Sequence, residues 1–575
     1  MNTPYLAFAG HEETVAGRLP AERLLGLAAQ LDMTIVLDRP GLKLLADKTL
    51  TVMPFGARSA IVGELFTLDG SRMTEMDEPS AARLASSNGE ALFRSSWGRY
   101  AAFLQLESGG QAVLRDPSGG LTVYYADWDG LACYFGDIEP ALVLGIVRPE
   151  IDTLFAAHWL AWPHLRTART GLAQVRELLP GTRRIMGETG VIDALWDPWT
   201  HIREPIADFD EAARRVRETI CSTVAALAGD REQILLELSG GLDSSILAAA
   251  LAQSGAPFAC VNFTTGLADG DERRHAAAVA RMHGAELIET GIEPAADFLM
   301  ASGMRRPRPG ASVLLGPVDR ALSASADARG ADALFSGGGG DNIFCFLTTA
   351  APVIDAWRSG KAVAAWDALR DVAELNGCTV WTAARHAMRK ARRQASPKAW
   401  RVNREFLACA PPPPDPHPWL IPPAGALPGQ LEHVEGLALI EDLLDAADRT
   451  QTYDMVYPLL AQPVAELCLG IPSWLWVRSG RDRAVARAAF SDLLPELVLH
   501  RRTKGRLEGL CAQAFIANRR RIAELLLEGR LQQLGIVDRG EIEAYLATEA
   551  IADHRYFRLF DIATLELWLR SWSEG

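Results

Sequence analysis

A short apolar run, Ile234-Leu235-Leu236-Glu237-Leu238, passes directly into Ser239-Gly240-Gly241-Leu242-Asp243-Ser244-Ser245 and then into an alanine-rich helical pattern from Ile246 to Leu251. The order strand, small-residue turn, helix constrains the chain more than any other stretch, because it builds an anion site largely from backbone. Two adjacent glycines let the turn aim its N–H groups at an oxyanion with no Cβ in the way. Ser239, Ser244 and Ser245 add hydroxyls at a helix N-terminus, whose dipole favours negative charge. Asp243 is the odd member. A carboxylate inside a phosphate loop repels its ligand unless a divalent cation lies between them, so Asp243 calls for Mg²⁺. The Gly-Lys-Ser/Thr ending of the Walker loop occurs nowhere in the chain, which argues against the usual γ-phosphate chemistry.

At 575 residues the chain is too long for one core, and about 100 to 200 residues per domain gives two to four units. The composition, 49% hydrophobic and 23% charged, is that of an ordinary globular protein, and 58 basic against 72 acidic residues leave a formal net charge of −14. Such a balance disfavours whole-molecule attraction to nucleic acid, so none is expected as a partner. The eight cysteines are scattered and include no Cys-x-x-Cys pair. Neither a zinc site nor a disulfide framework is indicated, and a reducing cytoplasm fits best. Met1-Asn2-Thr3-Pro4-Tyr5 lacks a basic region followed by an apolar core, and no apolar stretch approaches the roughly 18 residues of a membrane span, so neither export nor spanning is expected.

From Leu6 to about Trp199 the pattern is one of short strands and turns: Thr34 to Leu37, Ala60 to Val62, Tyr100 to Leu104, Ala112 to Leu114 and Thr122 to Tyr125. Gly, Pro and Asp bound these segments, which predicts paired antiparallel sheets. The sharpest local feature is Arg115-Asp116-Pro117-Ser118-Gly119-Gly120 before Val123-Tyr124-Tyr125, expected to be a charged turn closing a hairpin.

Beyond residue 200 the pattern changes. Phe209, Ala212, Val216, Ile220 and Val224 stand at helical spacing in a lead-in helix, and strand candidates Phe258 to Phe263, Ala285 to Glu289 and Ala331 to Ser336 follow the phosphate loop, separated by helices such as Glu272 to His283. Strand and helix alternating in this way predict a parallel sheet with right-handed crossovers. The last strand runs into Ser336-Gly337-Gly338-Gly339-Gly340-Asp341-Asn342. In a doubly wound sheet ligands sit beyond the carboxyl ends of the strands, so two loops that each follow a strand can face one site, and Asp243 and Asp341 can share one Mg²⁺.

The Ser-Gly-Gly-Leu-Asp-Ser-Ser run resembles the pyrophosphate loop of the ATP pyrophosphatases, the group that includes asparagine synthetases. The resemblance implies an ATP- and Mg²⁺-dependent ligase. Its loop holds the β- and γ-phosphates as leaving group while a substrate carboxylate attacks the α-phosphate and becomes an acyl-adenylate. Trp97-Gly98-Arg99-Tyr100, Arg115-Asp116, Gly136-Asp137 and Leu179-Pro180-Gly181 fall in the order of the glutaminase domain that precedes the synthetase domain in that family. Two domains are therefore expected. Residues 1–200 are read as an Ntn-type α+β sandwich, and 201–575 as an α/β parallel-sheet synthetase domain with a helical C-terminal part. The glutaminase needs a cysteine at the mature N-terminus as nucleophile, but position 2 is Asn and the first cysteine is Cys133, so the sandwich is expected to lack that activity. Asn88-Gly89-Glu90 imitates a glutaminase substrate trio but stands too close to Gly98 for the family layout.

The second loop narrows the resemblance. Asparagine synthetases carry Glu and β-lactam synthetases Tyr where this chain has Gly338, so the side chain those families use as a base is missing. Ser-Gly-Gly-Gly-Gly-Asp-Asn-Ile-Phe-Cys and Leu195-Trp196-Asp197-Pro198-Trp199 look most like the lasso peptide cyclases, which close a macrolactam on a ribosomal peptide. Further on, Asp448-Arg449-Thr450, Tyr457-Pro458-Leu459-Leu460, Gly470-Ile471-Pro472 and Arg502-Thr503-Lys504-Gly505 keep the family order, although Ala461 replaces the family's Asp. The resemblance implies Lys504 as the catalytic cation on the α-phosphate and the tetrahedral intermediate, offsetting developing charge. It implies Ser239, Gly240, Gly241, Asp243, Ser244, Ser245, Phe263, Ser336, Gly337 and Arg483 as nucleotide contacts, and Asp243 and Asp341 as metal ligands. The implied partners are a precursor peptide, a leader peptidase and a leader-recognition protein. A β-lactam synthetase, an ammonia-dependent asparagine synthetase and a silent peptide-binding scaffold are the competing readings. Asp271-Glu272 before a helix suits its dipole. Arg385, Arg389, Lys390, Arg392 and Arg393 make a basic helix expected to present a solvated face, and Pro411 to Pro414 an extended surface loop.

Overall fold

Among the described residues, twelve strands precede residue 200 and form two antiparallel six-stranded sheets in a computed structural model. The structure describes residues 4–186, 191–203, 205–267, 270–292, 298–299, 304–392, 400–444, 447, 449–502, 508–548 and 553–572. The strands are β1 (Tyr5–Ala9), β2 (Thr34–Arg39), β3 (Leu42–Ala46), β4 (Val52–Phe55), β5 (Ser59–Thr67), β6 (Ser96–Gln105), β7 (Gln111–Arg115), β8 (Tyr124–Trp128), β9 (Leu131–Phe135), β10 (Arg176–Glu177), β11 (Thr182–Ile185) and β12 (Ile192–Ala194). One sheet runs β10-β8-β9-β1-β3-β2 and the other β12-β11-β7-β6-β5-β4.

Alternation along β1 shows why the sheets stack. Tyr5, Ala7 and Ala9 enter a core shared with Val62, Phe103 and Val113 of the opposite sheet, whereas Leu6 and Phe8 point the other way, toward Val15 and Leu24 of the covering helices. The far face of the second sheet, with Leu65, Tyr100 and Leu104, is covered by Leu84, Leu92 and Phe93 of the helices Glu78–Ser86 and Glu90–Ser95. The layering is helix, sheet, sheet, helix, the α+β sandwich expected from the resemblance. Cys133 is buried in β9, and burial pushes its thiol well above the usual thiol range. Asn88 and Gly89 form a left-handed turn, with Glu90 paired to Arg94 on the surface.

The Arg115 to Tyr125 segment corrects the hairpin expectation. β7 and β8 lie in different sheets, so the turn between them crosses the sandwich. Buried polar groups decide this. The Arg115 guanidinium donates to the carbonyls of Leu121 (2.7 Å), Leu178 (2.9 Å) and Gly119 (3.0 Å) and to Glu177 (2.7 Å), and Asp116 accepts from the Tyr100 N–H at 3.1 Å. A buried Arg needs such partners, and the crossing supplies them.

The second half carries a five-stranded parallel sheet of order β15-β14-β13-β16-β17, made of β13 (Ile234–Glu237), β14 (Phe258–Thr264), β15 (Glu286–Gly291), β16 (Ala333–Ser336) and β17 (Met455–Val456). The three strands expected after the phosphate loop are all present, and β17 is an added edge. The lead-in helix Phe209–Ala228 buries Ala212, Val216, Ile220 and Val224 against one face, together with the phosphate-loop helix Leu242–Ser254. Leu235, Val261 and Leu334 face the other side, toward Leu322 and Ala326 of the helix Gly316–Arg329. Near-continuous apolar strands follow from this double covering.

The halves share contacts. Arg99 of β6 donates to Asp454, just before β17 (2.9 Å), and Arg231, before β13, reaches the same carboxylate at 2.6 Å. Between the halves, Trp196 packs edge-on against Trp419 (5.0 Å between centroids), and the Trp199 indole N–H donates to the Trp419 carbonyl at 2.8 Å. The extended segment after Pro411 is thus pinned at His417 and Trp419, both buried. The C-terminal helices Glu508–Leu527 and Tyr556–Ser571 pack Phe515, Phe560 and Leu565 into the outer core of the first sheet.

Candidate active site

Strand order places the site. Crossovers from β13 lead outward to β14 and β15, and β16 returns on the other side of β13. The order in which successive strands are laid across the parallel sheet therefore reverses between β13 and β16, the point where such sheets open a crevice beyond the strand ends. Glu237 and Ser336 are register partners, so the loops that follow them emerge side by side.

The first loop turns at Gly240, φ +71°, where a Cβ would stand 2.5 Å from the Ala276 nitrogen. Only glycine fits both the backbone angle and the approach of the helix Arg273–Met282. Ser239 Oγ accepts from the Gly241 N–H at 3.3 Å and lies 3.2 Å from Ser244 Oγ, and Ser245 Oγ donates to the Gly241 carbonyl at 2.6 Å. Asn262 donates to the Leu238 carbonyl at 2.8 Å, fixing the loop to β14. The result is a rigid turn whose N–H groups open the buried helix Leu242–Ser254.

The second loop lies directly on the first. A Cβ on Gly337 would stand 2.8 Å from the Ser244 nitrogen, and one on Gly340 would stand 2.3 Å from Asp243 Cγ. Glycine at both positions is what lets the loops interlock. Ser336 Oγ accepts from the Gly338 N–H at 3.2 Å. Gly338 faces Tyr457, whose ring carbons would be 3.2 and 3.3 Å from a Cβ there. The direction that a base at 338 would take is filled by that ring.

Arg483 joins the two loops. Its Nη1 lies 3.2 Å from both carboxylate oxygens of Asp243 and also pairs with Asp341, while its Nε donates to Asp482 at 2.8 Å. It stands in the left-handed region, φ +49°, at the start of the helix Ala484–Ala489, with Phe346 over its guanidinium. The carboxylates hold its pKa above the usual arginine value against the opposing effect of burial.

Of the residues expected here, Ser239, Gly240, Gly241, Asp243, Ser244, Ser245, Ser336, Gly337, Asp341 and Arg483 come together in these two loops. Phe263 is half-buried at the carboxyl end of β14, packed with Leu235 and Val261 on the Gly316–Arg329 side. Lys504 lies outside the described residues. Asp271 opens the helix Arg273–Met282 by accepting from the Arg273 N–H at 3.1 Å. Glu272 instead pairs with Arg501 at 2.5 Å, and Arg501 donates to the Gly240 carbonyl at 3.3 Å.

Arg501 was not singled out from sequence, although it opens the basic run that contains Lys504. Arg449 is a second cation that local spacing does not single out. It lies 3.3 Å from Glu237, at the end of β13, and pairs with Asp319 of the helix Gly316–Arg329.

A divalent ion fits this donor set. Two carboxylates that already meet one cationic nitrogen, beside a backbone anion site, match the usual Mg²⁺ arrangement of one or two carboxylates plus phosphate oxygens. Among the described residues no group of three or more His, Cys, Asp or Glu side chains makes an all-protein metal cage.

Residues 215–570 match the asparagine synthase family. The chain belongs to that family. No curated protein matches the sequence. Among solved structures, the chain is similar to one titled "Structure of the allosteric regulatory enzyme of purine biosynthesis", at 11% identity over 50% of this chain and 74% of the other, with a TM-score of 0.21. It is also similar to glutamine phosphoribosylpyrophosphate (PRPP) amidotransferase from B. subtilis complexed with ADP and GMP, at 12% identity over 58% and 90%, with a TM-score of 0.22. No helix among the described residues is long and apolar enough to cross a membrane.

Proposed function

We propose that the chain is an AMP-forming amide ligase that closes a macrolactam on a precursor peptide, a lasso peptide cyclase. The observation that carries the reading is the meeting of Asp243 and Asp341 on one nitrogen of Arg483, beside the buried N-terminus of the phosphate loop. The site so formed suits ATP held by its phosphates. Ser239 to Ser245 bind the β- and γ-phosphates through backbone N–H groups and hydroxyls. Asp243 and Asp341 would hold Mg²⁺, which would supply charge neutralisation and a template for the triphosphate. Arg483 and Arg501 add positive charge around the same crevice, and Lys504 offsets the charge that develops at the α-phosphate.

An Asp or Glu side chain of the peptide attacks that phosphorus, pyrophosphate leaves through the loop, and the N-terminal amine of the same peptide displaces AMP. Holding both ends of one substrate raises their effective concentration and lowers the barrier by roughly 7 to 11 kcal/mol. With Gly338 and Tyr457 where a dedicated base would project, that proximity accounts for a ring closure without one. A leader peptidase and a leader-recognition protein are the partners this reading requires. A reducing cytoplasm suits its eight free cysteines.

The test is incubation with ATP, Mg²⁺ and candidate substrates, scored by mass. A peptide that loses one water as AMP and pyrophosphate appear supports the reading. Conversion of free aspartate or a small β-amino acid instead rejects it. Lys504→Ala is expected to cut turnover by at least a hundredfold, about 3 kcal/mol. An unchanged rate would remove Lys504 from the mechanism.

A further inference from the structure

Beside the second loop lies a cavity of 650 Å³ that the adenylation chemistry does not use, within the roughly 300–1,000 Å³ range of ligand sites. One wall is the helix Val380–Ala391, from which Thr382, Ala383, His386, Arg389 and Lys390 face inward at helical spacing. Arg385, Arg389 and Arg392 are exposed, the solvated face expected of this basic stretch, while Arg389 and Lys390 also border the cavity; Arg393 lies outside the described residues. Arg401 adds a further cation, and Leu431 and Glu432 of the helix Pro428–Leu444 form the opposite wall.

The charges are unevenly spent. Lys390 pairs with Glu432, which also accepts from the Thr349 hydroxyl at 2.6 Å. Among the described residues, neither Arg389 nor Arg401 has an ion pair. Two guanidinium groups on a cavity with apolar stretches at Val372 and Leu431 suit a ligand that carries carboxylates on an otherwise uncharged backbone.

The cavity is wired to the reaction site. Asn342, next to Asp341, donates to the Gly436 carbonyl at 2.8 Å, one residue beyond Glu435 of the cavity wall. Phe346 lies over Arg483, and Thr348 and Thr349 two and three residues later line the cavity.

We propose that this cavity binds an acidic stretch of the substrate peptide, with Arg389 and Arg401 as the groups that read its carboxylates. The assignment deepens the ligase reading and rests on it for the identity of the ligand as substrate. Seating that stretch beside the second loop holds the peptide while one of its carboxylates reaches the phosphate site.

The test uses the full chain, immobilised, and a synthetic library of random decapeptides, with bound peptides sequenced by mass spectrometry. The wild type is expected to enrich Asp- and Glu-containing peptides at least tenfold over the input. Arg389→Ala/Arg401→Ala is expected to lose that enrichment, and Arg389→Lys/Arg401→Lys to keep a part of it. Affinity for a fluorescent ATP analogue is followed in parallel. Enrichment that is absent in the wild type, or that survives in the double alanine variant, overturns the proposal. If nucleotide binding fails while acidic enrichment holds, the ligase reading falls and the acid preference of the cavity stands.

Discussion

The carboxylate of Asp243 rests on the backbone of Gly340, so closely that a methyl group at 340 would stand 2.3 Å from Asp243 Cγ. Two loops from distant parts of the chain are locked by that contact. Gly340→Ala is expected to push Asp243 off its position and destabilise the fold by about 1–3 kcal/mol, the usual overpacking range. Affinity for an ATP analogue should fall at least tenfold, measured by fluorescence titration. A variant that binds nucleotide as the wild type does would show that the loops can part freely.

Arg483 stands where two carboxylates converge. Its removal takes away the guanidinium nitrogen on which Asp243 and Asp341 meet. Arg483→Ala should therefore cost about 1.5–3 kcal/mol, the value of hydrogen bonds to charged groups. Thermal melting without divalent ions checks this, and added Mg²⁺ should narrow the gap to the wild type. An equal gap with and without Mg²⁺ would separate the two carboxylates from any metal.

Gly338 and Tyr457 should be energetically coupled. With the ring 3.2 Å from a Cβ at 338, Gly338→Glu alone must displace it. The double variant Gly338→Glu/Tyr457→Ala should recover part of the loss, with an interaction energy of about 0.5–3 kcal/mol in a double-mutant cycle read by denaturant unfolding. Strict additivity would mean that the ring is not what excludes a side chain there.

The buried Asp355 sets a pH dependence. Burial pushes its carboxyl from 3.8 up to about 6, although it accepts from the Gly429 N–H at 3.0 Å and the Ser473 hydroxyl at 2.7 Å. Between those values the folded state binds more protons than the unfolded chain, so this stabilising contribution is full below 3.8 and is lost as pH rises through 6. Nearby His433 acts with the opposite sign, because burial pushes it from 6.5 down to about 4 and its contribution is lost as pH falls. The difference between Asp355→Asn and wild type isolates Asp355. The amide can still accept from Gly429 and donate to Ser473, so the variant should match the wild type near pH 4 and exceed it by about 2–3 kcal/mol at pH 7. A difference independent of pH would refute the shift.

Much of this molecule could be read along the chain. Ile234 to Ser245 declares a strand, an anion turn and a helix because neighbouring residues build all three. The alternation of strand and helix beyond it implied a parallel sheet, and the carboxyl-end rule brought the Asp341 loop to the same crevice. Short-range signals failed where a buried charge sets the path. Arg115 looked like part of a hairpin turn, but its guanidinium is satisfied only by carbonyls reached when the chain crosses between sheets.

By itself, then, the sequence determined the phosphate loop, the strand and helix order and the family, since each depends on residue types at fixed local spacing. Tertiary structure alone decided that Arg483 binds both carboxylates, that Arg501 pairs with Glu272 and donates to the Gly240 carbonyl, that Tyr457 crowds Gly338, and that one face of the basic helix borders a cavity. Those facts join groups far apart in the chain. Contacts of that kind are selected by packing and charge in the folded state, and no local spacing encodes them.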